Sequence, residues 1–448
     1  MKKALSLQTL VALLLGAILT PARVSASDAP ATVPDRLDLK TAVELALENN
    51  FPIREARERI RQQEGVILEV SSRTIPNVAA SGAYTALDHS LATANNPSDR
   101  VFTMQVQASQ VLYAGGGVIA STKNARLAKE AAELDFKGVI NEQLLAVRTQ
   151  FYTVLLDQKK VGVQEENVKL LEEQLKIAQD RFNAGATSNF EVLQAQVALA
   201  NGRPDLITAR NDFRLDVEQL RQLLGFPEGN GNPQSKIPEF DGTLKVGDQA
   251  TFDLRDALAS ARSNRPELQR LLKLQAAGEQ QVLIARAGAR PQLSAFGGYQ
   301  WENATGPNNF AYRPNGWTAG LQGQWNIFDG RATAGRVAQS KSVLMQTNLA
   351  IDETTLSIDV EVRRAHSSLT EAWELVDASA KTVDQAEEAL RLANVRYAAG
   401  TATQLDVLTS QVELTRARLN QLQAFYSYNV ALATMRKAIG LADSYVQA

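Results

Sequence analysis

The sequence predicts a mainly α-helical protein with a membrane β-barrel portion, built as two internal repeats. Three observations carry this reading: residues that match in register 215 positions apart, long segments with a seven-residue apolar period, and short segments of strict two-residue alternation. The chain has 448 residues, and its 47 basic against 49 acidic side chains give no electrostatic reason to expect nucleic acid as a partner.

The N-terminal residues 1–26 read as a signal peptide. Lys2 and Lys3 precede an apolar run from Leu10 to Leu19, and Val24 and Ala26 are the small residues a signal peptidase needs, so cleavage is expected after Ala26. Beyond it no run of about 20 apolar residues offers a transmembrane helix. Cysteine is absent. That excludes disulfides, thiolate metal sites, a cysteine nucleophile and lipid attachment through an N-terminal Cys.

The first repeat spans 27–225 and the second 252–440, with a Gly-, Pro- and Asp-rich link over 226–251 and a short tail over 441–448. RFNAGATSNFEVLQAQVAL from Arg181 answers RYAAGTATQLDVLTSQVEL from Arg396. The same offset pairs Asn49 with Asn264, Pro76 with Pro291, Tyr84 with Tyr299, Gly115 with Gly330 and Gly225 with Gly440.

Each repeat reads as helix, strand, strand, very long helix, turn, long helix. The opening helix of the first repeat runs from about Lys40 to Ser72, with a break at Pro52. Ile140, Val147, Val154, Val161, Val168, Leu175 and Phe182 then recur at heptad spacing, answered by Val362, Leu369, Val376, Val383, Leu390 and Tyr397. A period of 3.5 implies left-handed supercoiling against neighbouring helices. A helix from Gly117 to Asn183 would measure roughly 100 Å. Pro204 sits inside the first return helix, where a kink near Asn201 is expected.

Strands are expected over about 76–87, 100–113, 291–302 and 316–328. Phe102, Met104, Val106, Ala108 and Leu112 alternate with Thr103, Gln105, Gln107 and Ser109; in the second repeat Trp317, Ala319, Leu321 and Trp325 alternate with Thr318, Gln322, Gln324 and Asn326. Strands of about 9 to 11 residues with one apolar and one polar face match a lipid-out, polar-in barrel. The residues expected to face lipid are Phe102, Met104, Val106, Trp317, Leu321 and Trp325, with Tyr84, Tyr113, Tyr299, Trp301 and Phe328 supplying interfacial aromatics. Four strands cannot close, and an open edge in lipid leaves backbone groups unsatisfied. Other chains must finish the wall: two would give eight strands, three would give twelve and a passage.

These residues resemble the TolC-type outer-membrane efflux family. The resemblance rests on the ALENN and SARSNRPEL helix starts, the PNVAASGAY and PQLSAFGGY strand openings, and the paired RFNAG and RYAAG turns followed by EVLQAQ and DVLTSQ. It implies a homotrimer with a 12-stranded β-barrel in outer-membrane lipid, continued into the periplasm by a 12-helix coiled-coil α-barrel. It also implies a passive exit duct, docked at its tip to a periplasmic adaptor protein and an inner-membrane pump or a type I secretion system. A soluble periplasmic structural or adhesive coiled-coil protein is the alternative from another class.

The tip turns hold the candidate site. Gly185 and Gly400 suit the left-handed residue that ends a helix, and Ser188 and Thr403 read as N-caps completing capping boxes with Glu191 and Asp406. By the resemblance, Glu191, Asp406, Arg181 and Arg396 lie at the periplasmic gate, where carboxylates from three chains would form a ring of six negative charges favouring cations. The tight-gated family member carries a second Asp three residues after the position of Asp406 and an Arg two residues after the glycine. Here those places hold Thr409 and Ala402, so a differently latched gate is expected.

His89 and His366 are the only histidines, and each reads as structural or solvated. No nucleophile elbow, phosphate loop or metal-spaced cluster appears, so no catalytic residue, cofactor or metal is expected.

Overall fold

The computed structural model describes residues 35–86, 88, 100–226, 237–305, 311–312 and 315–441. The expected signal peptide, His89 and the tail beyond Leu441 lie outside them. The elements are β1 (Arg36–Asp38), α1 (Leu39–Asn49), α2 (Phe51–Ser71), β2 (Asn77–Ala86), β3 (Arg100–Ala114), α3 (Gly117–Asn183) and α4 (Asn189–Leu224). There follow β4 (Glu239–Asp241), α5 (Leu254–Asn264), α6 (Pro266–Ala287), β5 (Gln292–Thr305), β6 (Ala311–Tyr312), β7 (Asn315–Gln324), α7 (Ala332–Ala398) and α8 (Gln404–Ala438).

The backbone recurs as the sequence does. Both long helices, α3 and α7, contain 67 residues and start and stop 215 positions apart. The left-handed residues also recur at that offset: Gly115 with Gly330, Gly185 with Gly400, Gly225 with Gly440, and Gly116 with Arg331, whose φ is 72°.

Below the sheet the helices lie side by side in one layer, α2 against α3, α3 against α6 and α6 against α7. Farther down, the return helices take over, with α4 beside α3 and α8 between α3 and α7. The heptad seam is what holds this layer: Val147, Val154, Val362 and Leu369 are buried. Phe182 is an exception, exposed at the end of its helix, whereas its counterpart Tyr397 is buried.

The break between α1 and α2 falls at Asn50, just before Pro52. Asn50 caps α2 by accepting from Ile53 N at 3.2 Å, and its amide donates to Leu223 O at 2.7 Å. Pro204 does not interrupt α4. The neighbouring Gly202 lets α4 approach α3, since a Cβ there would lie 2.8 Å from Leu171 Cδ1.

From residue 237 onward, the described part of the segment between the repeats is a packed strap. β4 pairs in parallel with β1, and Leu37, Phe240 and Leu244 join Phe151, Val154 and Leu155 in one core. Tyr428 OH accepts from Ala250 N at 2.8 Å, and His366 Nε2 meets Phe252 O at 3.2 Å. His366 therefore ties this strap to α7.

The main sheet runs β2-β3-β5-β7, all antiparallel, with β6 a short pair on the end of β5. Among the described residues β2 pairs only with β3, and β7 only with β5, so both outer edges of the sheet are open there. β7 stops at Gln324, short of the expected 328, because its sole partner β5 ends opposite it at Gln292. The next position on that side is Pro291, which has no N–H to continue the ladder. A bulge at Leu112 shifts the register so that Tyr113, rather than Leu112, stands opposite Leu293.

Candidate functional site

Two surfaces bear on function, the faces of the sheet and the tips of the long hairpins. The register sorts the sheet cleanly. On one face Phe102 stands beside Tyr84, Met104 beside Gly82 and Trp301, and Val106 beside Ala80 and Tyr299. Trp317 lies opposite Tyr299 and Leu321 opposite Ala295 on that same face. Trp317 is 77% exposed and Leu321 69%, and Val78 and Tyr84 are similarly bare. The other face presents Thr103, Gln105, Gln107, Ser109, Gln300, Thr318 and Gln322. Phe296 is the aromatic on that polar side, its ring lying over Gly320.

Of the six residues expected on the apolar face, five sit in strands on that face. Trp325 does not. It lies one residue past β7, exposed, with its indole N–H donating to Ala289 O at 3.1 Å. That fixes it at the junction between sheet and helix.

At the tips both long helices end in the same motif. Gly185 N donates to Phe182 O and Ala186 N to Arg181 O; Gly400 N donates to Tyr397 O and Thr401 N to Arg396 O. These are Schellman turns, which require the left-handed φ of 72° at Gly185 and 74° at Gly400. Arg181 and Arg396 occupy the last helical turns, where the dipole favours a cation.

The two return helices then start differently. Thr403 and Asp406 form the expected capping box: Thr403 Oγ1 accepts from Asp406 N at 3.3 Å, and Asp406 Oδ2 accepts from Thr403 N at 2.8 Å. The Thr403 N–H and O–H both donate to that Asp406 oxygen, each at 2.8 Å, and together with the nearby Arg396 they hold the carboxyl below its ordinary pKa.

Ser188 and Glu191 do not form the expected box. Ser188 is the N-cap without a side-chain hydrogen bond. Glu191 Oε2 instead accepts from Tyr397 OH at 3.3 Å, while the Arg181 guanidinium lies 4.5 Å from the centroid of the same ring. The reason is steric reach and chemistry. Glutamate has one methylene more than aspartate and can leave its own helix end, and Tyr397 offers a hydroxyl where its counterpart Phe182 offers none.

Tyr397 therefore joins three elements, α3 through Arg181, α4 through Glu191, and its own α7. The sequence places it in the heptad seam, and its role at the tip was legible only in the exchange of Phe for Tyr between the two RF and RY turns. Above it, Gln411 donates to Asn167 O and Oδ1, both at 3.2 Å, and Arg418 bridges Glu166 and Glu387, each at 2.9 Å. The two hairpins are thus joined through polar contacts and a small apolar cluster of Leu171, Leu199 and Leu408.

Among the described residues no helix is long and apolar enough to cross a membrane and no group of His, Asp or Glu is arranged to hold a metal. An amphipathic four-stranded sheet is thus continued by a layer of antiparallel helices, the longest of them, α3 and α7, 67 residues each.

The chain belongs to the outer membrane efflux protein family. That family's model matches residues 42–226 and again 257–441, two matches separated by the repeat offset. Protein CyaE of Bordetella pertussis is 25% identical over 389 residues, covering 87% of this chain and 81% of that one. Outer membrane protein TolC of Vibrio cholerae is 22% identical over 317 residues, covering 70% of this chain and 71% of TolC. The outer membrane channel CmeC of Campylobacter jejuni has the same fold, with a TM-score of 0.77 at 18% identity over 90% of this chain and 85% of CmeC. Members of this family are channels rather than enzymes, and the chain is helix-rich like its structural neighbours.

Proposed function

We propose that the chain is one of three that assemble into a passive exit duct, with a 12-stranded β-barrel in the outer membrane and a 12-helix α-barrel reaching through the periplasm. Export directed by residues 1–26 delivers it there. The single observation that carries the reading is the four-stranded sheet with one bare apolar face and two open edges. In lipid such edges leave N–H and C=O groups unsatisfied at several kcal/mol each, so copies of the sheet must pair edge to edge. The helical layer continues the wall in the same order as the strands and is open along the same two sides.

The tips form the periplasmic end. Glu191 and Asp406 from three chains contribute six carboxylates to the throat, and Arg181 and Arg396 stand beside them. There the duct docks to an adaptor protein and an inner-membrane pump or a type I secretion machine, which supply the energy. The Tyr397 contact holds the first hairpin to the second and takes the place of the arginine restraint absent at Ala402.

Substitution on the two sheet faces tests the assembly. Leu321→Arg, on the apolar face, is expected to abolish the heat-modifiable trimer in outer-membrane fractions, since a cation on the lipid face costs up to about 2–4 kcal/mol. Gln322→Asp, one residue along on the polar face, is expected to assemble normally. Equal assembly of the two, or release of the wild-type chain as a soluble species on osmotic shock, overturns the duct in favour of the soluble coiled-coil alternative.

A further inference from the structure

The turns of helix nearest the sheet are charged in one sense. From Gly117 to Lys129 in α3, Gln280 to Ala287 in α6 and Ala332 to Ile351 in α7, every charged residue is a cation. The segments joining helix and strand there add Arg73, Arg290 and Arg331 against one carboxylate, Asp329. Asp329 is already engaged, accepting from Thr333 N at 2.7 Å with Arg336 at 3.8 Å.

These cations divide between two faces. A cleft of about 640 Å³ on the polar side of the sheet is lined by Arg73, Val118, Ser121, Ile284, Gln292 and Arg336. Glu69, at the end of α2, corresponds through the repeat to Ile284 and so belongs to that polar side. At about 100° per residue, Lys123 and Arg126 point away from Ser121, and Arg286 points away from Ile284. They therefore project on the outer side, where the sheet is apolar.

All three are exposed, and none has an ion-pair partner among the described residues. Ile119 and Leu283 are bare on the same side, with Trp325 and Ile327 at the strand end. Exposed aromatic and aliphatic side chains next to unpartnered cations form an interfacial pattern. The height is also right. Lys123 lies six residues into α3, roughly 9 Å from its start, and Arg286 is in the last turn of α6, within reach of the headgroup layer that flanks the hydrocarbon core.

We propose that this outward collar, centred on Lys123, Arg126 and Arg286, binds the anionic phospholipid headgroups of the leaflet facing the periplasm. The phosphates supply the counter-charge that the chain omits, and they fix how deep the wall sits. The inference rests on the reading of the sheet as a lipid-facing barrel, and it names the lipid class and the leaflet side that such a barrel selects.

Trp325 reports on the collar once Trp301 and Trp317, which lie on the same apolar face, are replaced by Phe in every chain tested. The full chain is reconstituted in phosphatidylethanolamine vesicles containing brominated phosphatidylglycerol, or brominated phosphatidylethanolamine at the same mole fraction, and tryptophan quenching is compared. Stronger quenching by the glycerol lipid is expected, lost at high salt. Each cation removed lowers the preference by about fivefold, so Lys123→Gln, Arg126→Gln and Arg286→Gln together equalise the two lipids. The charge-conserving variant Lys123→Arg, Arg126→Lys, Arg286→Lys retains the preference, which separates loss of charge from loss of fold. Equal quenching by both lipids in the wild type, or a preference that survives the triple Gln variant, overturns the collar while leaving the barrel intact. No quenching by either lipid overturns the barrel and the collar together.

Discussion

The two hairpins of the chain, α3 with α4 and α7 with α8, share lengths, turns and left-handed positions, yet they bury different chemistry. Midway along the first, Asp157 is 4% exposed and shares a hydrogen bond with Asp216, with Lys160 Nζ 3.0 Å from its Oδ1. Gln150 donates to Asp216 Oδ1 at 2.9 Å. At the equivalent places the second hairpin has Ala372, Ala431, Leu375 and Ala365. The elbows differ likewise. Asn50 donates to Leu223 O in the first half; in the second, Arg265 donates to Ala438 O at 3.3 Å and pairs with Glu361 at 2.8 Å. A backbone template written twice thus sets the wall, and polar exchanges at matched positions make the two halves respond to different stresses.

The largest expected effect breaks the template itself. Gly225 closes α4 with a φ of 76°, and a Cβ there would lie 2.2 Å from Asn49 O, a backbone atom that cannot move alone. At Gly440 the corresponding Cβ would lie 3.0 Å from Asn264 Cβ. Gly225→Ala is expected to cost about 3 kcal/mol or more, combining left-handed strain with overpacking, and Gly440→Ala about 1–2 kcal/mol. Thermal unfolding measures both. Equal losses would mean that strain alone, and not the approach to Asn49, sets the cost.

Next in size are the elbows. Arg265 is 5% exposed and its guanidinium also engages Glu267, while Glu361 takes a second cation, Lys437, at 3.1 Å. These pairs hold the Glu361 carboxyl below its ordinary pKa against the burial that would raise it. Arg265→Ala leaves that carboxylate half-buried with one partner fewer, and about 3 kcal/mol is expected to be lost. Asn50→Ala removes neutral hydrogen bonds and leaves Leu223 O unsatisfied, at about 1–2 kcal/mol. Chemical denaturation should rank the two in that order.

The template was almost wholly legible in the sequence, because heptad spacing, strict alternation and a gapless offset are each one-dimensional records of a period. The alternation gave the sheet faces, and the Gly185 and Gly400 turns gave the tips. The strand end at Gln324 was not legible, since it depends on β7 having one partner rather than two. Nor was the bulge at Leu112, which adds a residue without altering composition. The partner of Glu191 was hidden for a different reason: a capping box and a contact across to Tyr397 begin from the same Ser-x-x-Glu spacing, and only the third dimension decides between them.

The tip contact gives a smaller, local effect. Tyr397→Phe keeps the ring under Arg181 and removes only the hydroxyl that reaches Glu191, a loss of about 1 kcal/mol. It makes the second tip resemble the first, where Phe182 stands. For the proposed duct in planar bilayers, the variant is expected to show longer and more frequent openings with assembly unchanged. An unchanged opening frequency would leave the contact a packing detail.

The smallest effect is a slope with pH and belongs to the first hairpin alone. Burial, then the hydrogen bond with Asp216, raises the Asp157 carboxyl from 3.8 to about 6, outweighing Lys160, which acts to lower it. Between those values the folded chain holds a proton that the unfolded chain has released. Stability contributed by this group is therefore fully present below pH 3.8 and declines as pH rises towards about 6. Asp157→Ala with Asp216→Ala copies Ala372 and Ala431 into the first hairpin and is expected to remove that decline, seen as a smaller difference in thermal midpoint between about pH 4.5 and 7.5. Persistence of the full slope in the double variant would assign it to other carboxyls, and the comparison of the two hairpins would then rest on their tips and elbows alone.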